Sequence, residues 1–312
     1  MSDRASSAAP RAWVLNLDAE HEFEIGRTFQ PSRHLREIVL RERARLLGNL
    51  VGPQDVVLTE EELARDPERS RARGLRGLAW SPTPRALALL AAAGAEVAPA
   101  PSFEVLRRVN SRPFAAVLRA PHAEGSFAKE VATTEDEVLS LLARPARLAP
   151  DGWLVRRTFG TAGRGRRRIA AGAPRAAERA WLAAGLRRGP LVVEPWVRVT
   201  REYTRSGWVR PNGTVSIARP CFQETDAAGA WTRSESAARG DVSRADDARL
   251  EAMMAEVGAA LVAAGYFGPF GIDAYRHRVP GGTQEVLNPM SEINVRFTMD
   301  WATGMPARPE RS

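Results

Sequence analysis

The sequence predicts an α+β protein whose N-terminal third is a parallel α/β layer. Three observations carry this prediction. Strand-like and helix-like stretches alternate from about residue 10 to residue 105, the order expected of a parallel sheet covered by helices. A glycine-rich loop joins two arginine-bearing strands between Trp153 and Ile169. Near the C-terminus, Pro280-Gly281-Gly282-Thr283 separates two further strand-like stretches, Gly265–Tyr275 and Ser291–Arg296.

Taken in order, residues 1–12 read as disordered and Trp13–Leu17 as a buried first strand. His34–Leu47 places Leu35, Ile38, Val39, Leu46 and Leu47 at helical spacing, ended by Gly48-Asn49. Asp55–Leu58 is a short strand, and Thr59 with Glu62 forms a capping box. Gly77–Trp80 is a strand, Ser81-Pro82 opens a helix that Gly94 stops, and Glu96–Ala100 is another strand. This N-terminal part is Rossmann-like, but it lacks Gly-x-Gly-x-x-Gly, so no dinucleotide is assigned to it. Ser102 caps a helix over Phe103–Val109; Phe127–Thr133 reads as a strand and Thr134 caps a helix to Leu142. Trp153–Arg157 is a strand, Ala176–Leu186 a helix and Pro190–Val197 an apolar strand. Tyr203–Val209 and Thr214–Ala218 flank Pro211-Asn212-Gly213, whose Asn-Gly suits a type I′ turn, and Trp231–Ser236 adds a strand. Asp246–Ala264 is the clearest helix, with Leu250, Met253, Met254, Val257 and Leu261 on one face; its methionines are core filler. A last helix starts in Phe297–Gly304, and Met305–Ser312 reads as a loose tail.

Composition sets the bounds. A chain of 312 residues buries a sizeable core in two or three subdomains, and 44% hydrophobic with 26% charged residues is ordinary for a globular protein. The net charge of +8 favours anionic ligands. Lys129 is the only lysine, so the positive charge is almost all arginine, a chain-wide bias rather than a patch built for nucleic acid. Cys221 is the only cysteine, which excludes an intrachain disulfide and a cysteine metal cluster. Met1–Pro10 has no apolar signal core and no apolar run reaches 18 residues, so a soluble cytoplasmic protein without membrane partners is expected.

The C-terminal hairpin carries the chemistry. Folding about Gly282–Thr283 puts residue 273 opposite residue 292, and alternation puts Glu292 and Asn294 on one face. Asp273, Glu292 and Asn294 then form one patch of hard oxygen donors, with Arg296 next along it. Such donors suit Mg²⁺ carrying nucleotide phosphates better than zinc. Pro289 is an objection to an unbroken ladder. Upstream, Gly160, Gly163 and Gly165 let backbone N–H groups approach phosphate, with arginines at 156 and 166–168 to neutralise it. The competing reading is a basic RNA-contacting loop, against which no aromatic platform is interleaved with Gly-Arg-Gly-Arg-Arg-Arg.

The Gly-hydrophobic-Asp strand followed by Glu-x-Asn resembles the closing motif of the ATP-grasp superfamily, and further motifs fall in that family's order across about residues 100–300. The resemblance implies an ATP-grasp fold preceded by a Rossmann-like domain: residues 1–110, then an ATP-grasp subdomain at 111–197 with the glycine-rich flap, then a second at 198–312 with the metal and phosphate site. It implies that Arg112 and Arg156 reach the phosphates with Gly163 and Gly165. Backbone groups of Glu194 and Val197 would hold the adenine edge, and Glu202 the ribose. Asp273, Glu292 and Asn294 would hold the metal, and Arg296 with Arg156 the transferred phosphoryl group. Arg156 stands where the family has lysine, which bears on turnover more than on binding. The implied cofactors are ATP and Mg²⁺, with Mn²⁺ an admissible substitute. The implied partners are a small carboxylate and an amine or peptide, and a homodimer is compatible. A nucleotide-binding protein without turnover and an arginine-rich nucleic-acid binder stay open as alternatives.

Overall fold

A computed structural model describes residues 9–47, 50–65, 71–119, 130–145, 149–160, 163–226, 231–237, 241–279 and 282–305. The chain forms two compact units, one of residues 1–19 and 27–100, the other of residues 20–26 and 101–312. The short helix α1, Ala19–Ile25, therefore lies from Glu20 onward in the second unit.

In the first unit, β1 (Arg11–Val14), β2 (Val56–Val57), β3 (Arg76–Ala79) and β4 (Glu96–Val97) form a parallel sheet in the order β2-β1-β3-β4. The helices are α2 (Arg33–Arg43), α3 (Glu60–Arg65) and α4 (Pro84–Ala92). Ala12, Val14, Leu58, Ala79, Ala86 and Leu90 share its core, as expected of parallel strands covered by helices. The alternation read from the sequence is thus present, with two corrections. The first strand begins at Arg11, inside the stretch read as disordered. Helix α4 starts two residues later than expected, capped by Thr83 with Pro84 in its first turn. The backbone of Ser81 is tied to Asn16, its N–H on Oδ1 and its carbonyl on Nδ2, and it is Thr83 Oγ1 that accepts from the N–H of Ala86.

The second unit begins with α5 (Phe103–Val109) and α6 (Arg112–Arg119). Next come β5 (Glu130–Ala132), α7 (Glu135–Leu142), β6 (Trp153–Arg157), β7 (Arg166–Ile169), α8 (Ala176–Leu186) and β8 (Leu191–Pro195). These strands make an antiparallel sheet, β5-β8-β6-β7, whose buried side packs Val155, Ile169, Leu191 and Val193 against Val138, Leu142 and Leu182. Thr134 and Glu137 form the capping box of α7. The expected start of the strand at Phe127–Lys129 lies outside the described residues, as do Gly48-Asn49, Pro280-Gly281 and the tail beyond Met305.

A second antiparallel sheet, β11-β10-β9-β12-β13, follows. It contains β9 (Val199–Val209), β10 (Val215–Thr225), β11 (Trp231–Ser236), β12 (Gly268–Arg278) and β13 (Glu285–Asn294). Helix α9 (Arg244–Ala263) is capped by Ser243, and Leu250, Met253, Met254, Val257 and Leu261 are buried. A Cβ on Gly207 would lie 2.8 Å from Met254 Cε and 2.6 Å from Phe270 Cζ, so β9, β12 and α9 meet at this glycine. Helix α10 (Trp301–Gly304) closes the described chain. β10 runs past Ala218, where the sequence reading ended it, because a register shift between Ile217 and Pro220 absorbs the proline. The β9–β10 connection also differs from a type I′ turn. Arg210 N–H bonds Thr214 O across a three-residue loop that ends on Gly213 at φ +84°, the longer class of hairpin.

His277 on β12 is buried, edge-on to Tyr275 at 5.5 Å between ring centroids. Burial, with the Arg119 cation near it, pushes its pKa from 6.5 down to about 4. Between those values the unfolded chain binds a proton that the folded chain does not, so stability falls as pH drops from 6.5 towards 4. At about 1.4 kcal/mol per pKa unit, the loss from this residue approaches about 3 kcal/mol. Urea unfolding across that window should show His277→Gln with a shallower acid loss than the wild type; parallel curves would remove His277 from the account.

Candidate active site

One face of the second sheet collects the polar residues. Directly opposed residues in antiparallel strands share a face. Asp273 pairs with Thr204 on one side and Glu292 on the other, Tyr275 with Glu202 and Asn288, and Gly271 with Ser206 and Asn294. The Asp273–Glu292 register expected from the sequence is therefore present. It arises differently, however. Near the turn Arg278 pairs with Glu285 and Tyr275 with Asn288, a register centred one residue earlier than Gly282–Thr283. A bulge then sets Pro289, Met290 and Ser291 against Ala274 alone and restores the pairing at Glu292. Gly271 is required here, since a Cβ would lie 2.7 Å from Thr298 Cγ2.

Asp273, Glu292 and Asn294 come together as expected. Asn294 Nδ2 donates to Asp273 Oδ2 at 3.0 Å. Burial, with Glu292 and Asp300 nearby, pushes the Asp273 carboxyl up to about 7, against the opposing pull of Asn294 and Arg296. Adjacent half-buried carboxylates of this kind are what a divalent cation relieves, and two carboxylates with an amide oxygen are a hard donor set. The residues present thus fit Mg²⁺. Among the described residues no three His, Cys, Asp or Glu side chains form a metal-holding group, so the donor set is two carboxylates with the amide of Asn294. Asp300 is a further carboxylate nearby. It sits on the same face, accepting from Thr204 Oγ1 at 3.2 Å and Ser206 Oγ at 3.0 Å.

Glu292 also receives arginines from α6 and β6. Arg112 Nη2 reaches Glu292 Oε1 at 3.0 Å, and Arg156 Nη1 reaches Oε2 at 3.5 Å. Arg156 is simultaneously held by Glu194, Nε to Oε1 at 2.8 Å, and Arg119 reaches the other oxygen of Glu194 at 3.5 Å. Burial alone would lower the Arg156 pKa, but Glu194 and then Glu292 outweigh it and raise it. Arg112 does more than pair. Its Nη1 donates to Arg157 O and its Nη2 to Gly160 O, both at 2.9 Å, while its own N–H donates to Thr158 O. It thereby ties the glycine loop to the carboxylate strand. The loop itself needs glycine, because a Cβ at Gly160 would sit 2.5 Å from Arg164 O and one at Gly165, φ +70°, 2.9 Å from Phe159 O. Gly163 also has positive φ, +74°.

The other expected residues are placed as follows. Glu194 points its carboxylate inward, and the chain leaves β8 after Pro195 with Trp196 N–H on Gly152 O, so Val197 stands just outside the sheet. Glu202 is part-buried and accepts from Thr225 Oγ1 at 2.9 Å; burial raises its pKa against the opposing effects of Thr225 and Arg166. Arg296 lies past the end of β13 with its Nε on Glu20 Oε1 at 2.8 Å. Asn110 fixes that strand end, accepting from Val295 N–H and donating to Val295 O. A cleft lined by Glu20, Asn110, Arg112, Phe159, Gly160, Glu292 and Asn294 opens between these elements. Sequence reasoning missed Arg119, Tyr275 and Asp300. The visible signal was the alternation Glu202, Thr204, Ser206, three polar residues on one face of a strand. Cys221 is no nucleophile: it is buried, and burial with Asp300 nearby pushes its thiol up to about 12.

No protein-family model matches the sequence, and no curated protein matches it. Solved structures do. The D-alanyl-alanine synthetase A of Vibrio cholerae superposes with a TM-score of 0.51 at 12% identity, over 92% of this chain and 89% of that one. An N5-carboxyaminoimidazole synthetase of Staphylococcus aureus, complexed with ADP, gives 0.50 at 8% identity over 93% of this chain and 71% of that one. The Rhizobium etli pyruvate carboxylase gives 0.53 at 15% identity over 95% of this chain and 27% of that one. These are ATP-grasp enzymes, and the chain has the ATP-grasp fold, with a parallel α/β sheet in its N-terminal part. No helix among the described residues is long and apolar enough to cross a membrane.

Arg112→Ala should lower stability by about 2 kcal/mol, the scale for breaking a part-buried ion pair and orphaning its acceptors. Arg112→Lys should recover part of that, since one ammonium cannot fork across three acceptors. Chemical denaturation measures both. A neutral alanine variant would show that the loop stands without the brace.

Proposed function

We propose that this protein is an ATP-dependent ligase that activates a carboxylate as an acyl phosphate and joins it to an amine or similar nucleophile. The observation that supports this most is the convergence on Glu292 of an oxygen-donor strand face and the arginines beneath a glycine loop. The ligase names of structures sharing the fold support the reaction class, and leave the substrate open. On this reading residues 1–110 form the preceding domain, 111–197 the flap-bearing ATP-grasp subdomain and 198–312 the subdomain with the metal and phosphate site.

Each residue then has a task. Asp273, Glu292 and Asn294 hold Mg²⁺, or Mn²⁺ in its place; the metal supplies charge neutralisation on the β- and γ-phosphates. Backbone groups of Glu194 and Val197 take the adenine edge, Glu202 the ribose hydroxyls, and the loop at Gly163 and Gly165 the phosphates. A carboxylate oxygen of the substrate attacks the γ-phosphorus as the bond to ADP breaks. An amine then attacks the acyl carbon, phosphate leaves, and the amine gives up a proton. Arg156 and Arg296 stabilise the transferred group, which requires Arg156 to exchange a carboxylate partner for a phosphate oxygen and Arg296 to do the same with Glu20. Arg112 is committed to two loop carbonyls as well as Glu292, so its part at the phosphates is to hold the loop over them.

A second reading, nucleotide binding without turnover, is favoured by Arg156, a fixed fork between two carboxylates where the family has a mobile lysine. A screen for ADP release at fixed Mg-ATP, with pooled amino acids and small carboxylates, separates the two. Release that depends on a pool supports the ligase; Mg-ATP binding with no release from any pool supports the second reading. In a responsive pool, Glu292→Gln should lower turnover at least about 100-fold, or about 2.7 kcal/mol of transition-state stabilisation, with the fold retained. Glu285→Gln, on the exposed start of β13, should leave turnover near wild type. The reverse pattern would remove the metal site from this face.

A further inference from the structure

From Glu20 onward, helix α1 is fastened into the second unit beside the glycine loop. Phe23 is fully buried, its ring 6.0 Å from that of Phe103 and 6.1 Å from that of Phe159, the residue before Gly160. Arg107 Nε donates to Phe23 O at 2.8 Å, and Glu24 pairs with Arg188 at 3.3 Å. Glu20 is placed by this anchoring but is not used up by it. It is 8% exposed and lines the cleft with Asn110, Arg112, Glu292 and Asn294. Its Oε1 accepts from Arg296 Nε at 2.8 Å, while Oε2 is buried and accepts no hydrogen bond among the described residues.

A buried carboxylate oxygen without a donor is costly, and the neighbouring donors are engaged. Asn294 Nδ2 is on Asp273, Asn110 Nδ2 is on Leu106 O and Val295 O, and the Nη atoms of Arg112 serve Glu292, Arg157 O and Gly160 O. The lining carries two carboxylates, Glu20 and Glu292, against one guanidinium. In the reaction above, Arg296 also leaves Glu20 for the transferred phosphoryl group. Both oxygens of a buried carboxylate then lack a donor at the moment the second substrate is needed. A cation arriving with that substrate restores the balance.

We propose that Glu20 receives the nucleophile of the reaction, and that this nucleophile is a primary amine bound as its ammonium ion; the assignment rests on the ligase reading above. The carboxylate accepts charge-assisted hydrogen bonds from the ammonium, which an uncharged alcohol or thiol does not match. Glu20 then takes one ammonium proton, which frees the nitrogen lone pair. That pair forms the C–N bond as the acyl C–O bond to phosphate breaks, and the second proton leaves with the phosphate. Exchange of Arg296 for ammonium at Glu20 makes amine binding follow capture of the phosphoryl group.

Initial rates in an amine pool that supports ADP release, on the wild type, Glu20→Gln and Glu20→Asp, test this against hydroxylamine as the nucleophile. Hydroxylamine is uncharged at neutral pH and traps an acyl phosphate as the hydroxamate; Glu20→Gln keeps an oxygen for Arg296. In the glutamine variant, kcat/KM should fall about 10- to 100-fold further for the amine than for hydroxylamine, chiefly through KM of the amine, and aspartate should restore part of it. The hydroxylamine reaction reports whether each variant is folded. Equal losses for the two nucleophiles would show that Glu20 acts only through Arg296, and unchanged amine kinetics would show no role; either overturns the assignment and leaves the ligase reading standing. ADP release from no pool, hydroxylamine included, would instead overturn the ligase reading, and the role of Glu20 with it.

Discussion

The arrangement of the candidate site depends on one carboxylate shared by two arginines. Glu292 belongs to the last strand of one sheet, while Arg156 belongs to a central strand of the other and Arg112 to the helix start that braces the glycine loop. The two oxygens of Glu292 accept one guanidinium each. Partly desolvated ion pairs of this kind add little to stability over an apolar replacement, because desolvation offsets the attraction. They do fix geometry. Here they hold loop, strand and carboxylates in one register with no ligand present, and they keep three charges in a place where a magnesium–phosphate group would need them.

The same sheet separates chemistry from cohesion by the two-residue period of its strands. Glu202, Thr204 and Ser206 look to one face with Asp273 and Glu292, while Tyr203 and Phe270 are buried in the core and Gly207 leaves room for Phe270 and Met254. Any one-residue slip would exchange the faces. The bulge at Pro289 is therefore a constraint on function as well as on shape. It returns β13 to the pairing that sets Glu292 beside Asp273.

Much of this was legible in the sequence. The alternating elements of the N-terminal sheet, Trp153–Arg157, Ala176–Leu186, Trp231–Ser236 and the long helix α9 carry their own signals in periodicity, caps and glycine stops. The facing of Asp273 and Glu292 was legible too, although it came from two departures that cancel: a turn one residue earlier than expected and a bulge at the proline that was the stated objection. Side-chain partners were not legible. Arg112 meets a residue 180 positions away and Arg156 one 136 away, and no local pattern encodes such pairings. In a chain whose positive charge is nearly all arginine, Arg119 looks like the rest, and Arg112, Arg156 and Arg296 stood out only through the order of the motifs around them. Helix α6 escaped notice because its start, Asn110-Ser111-Arg112, reads equally well as a connection, and its cap is made through Ser111 rather than an acidic first turn.

The central claim is that this face binds nucleotide through a divalent cation. Calorimetric titration of ATP into the full chain, once with excess Mg²⁺ and once with a chelator, tests it most directly. The account predicts binding with Mg²⁺ that weakens on the order of 100-fold, about 2.7 kcal/mol, when the metal is removed. Equal affinity in the two titrations, falling steeply with added salt, would contradict it and point to plain electrostatic attraction to an arginine-rich surface.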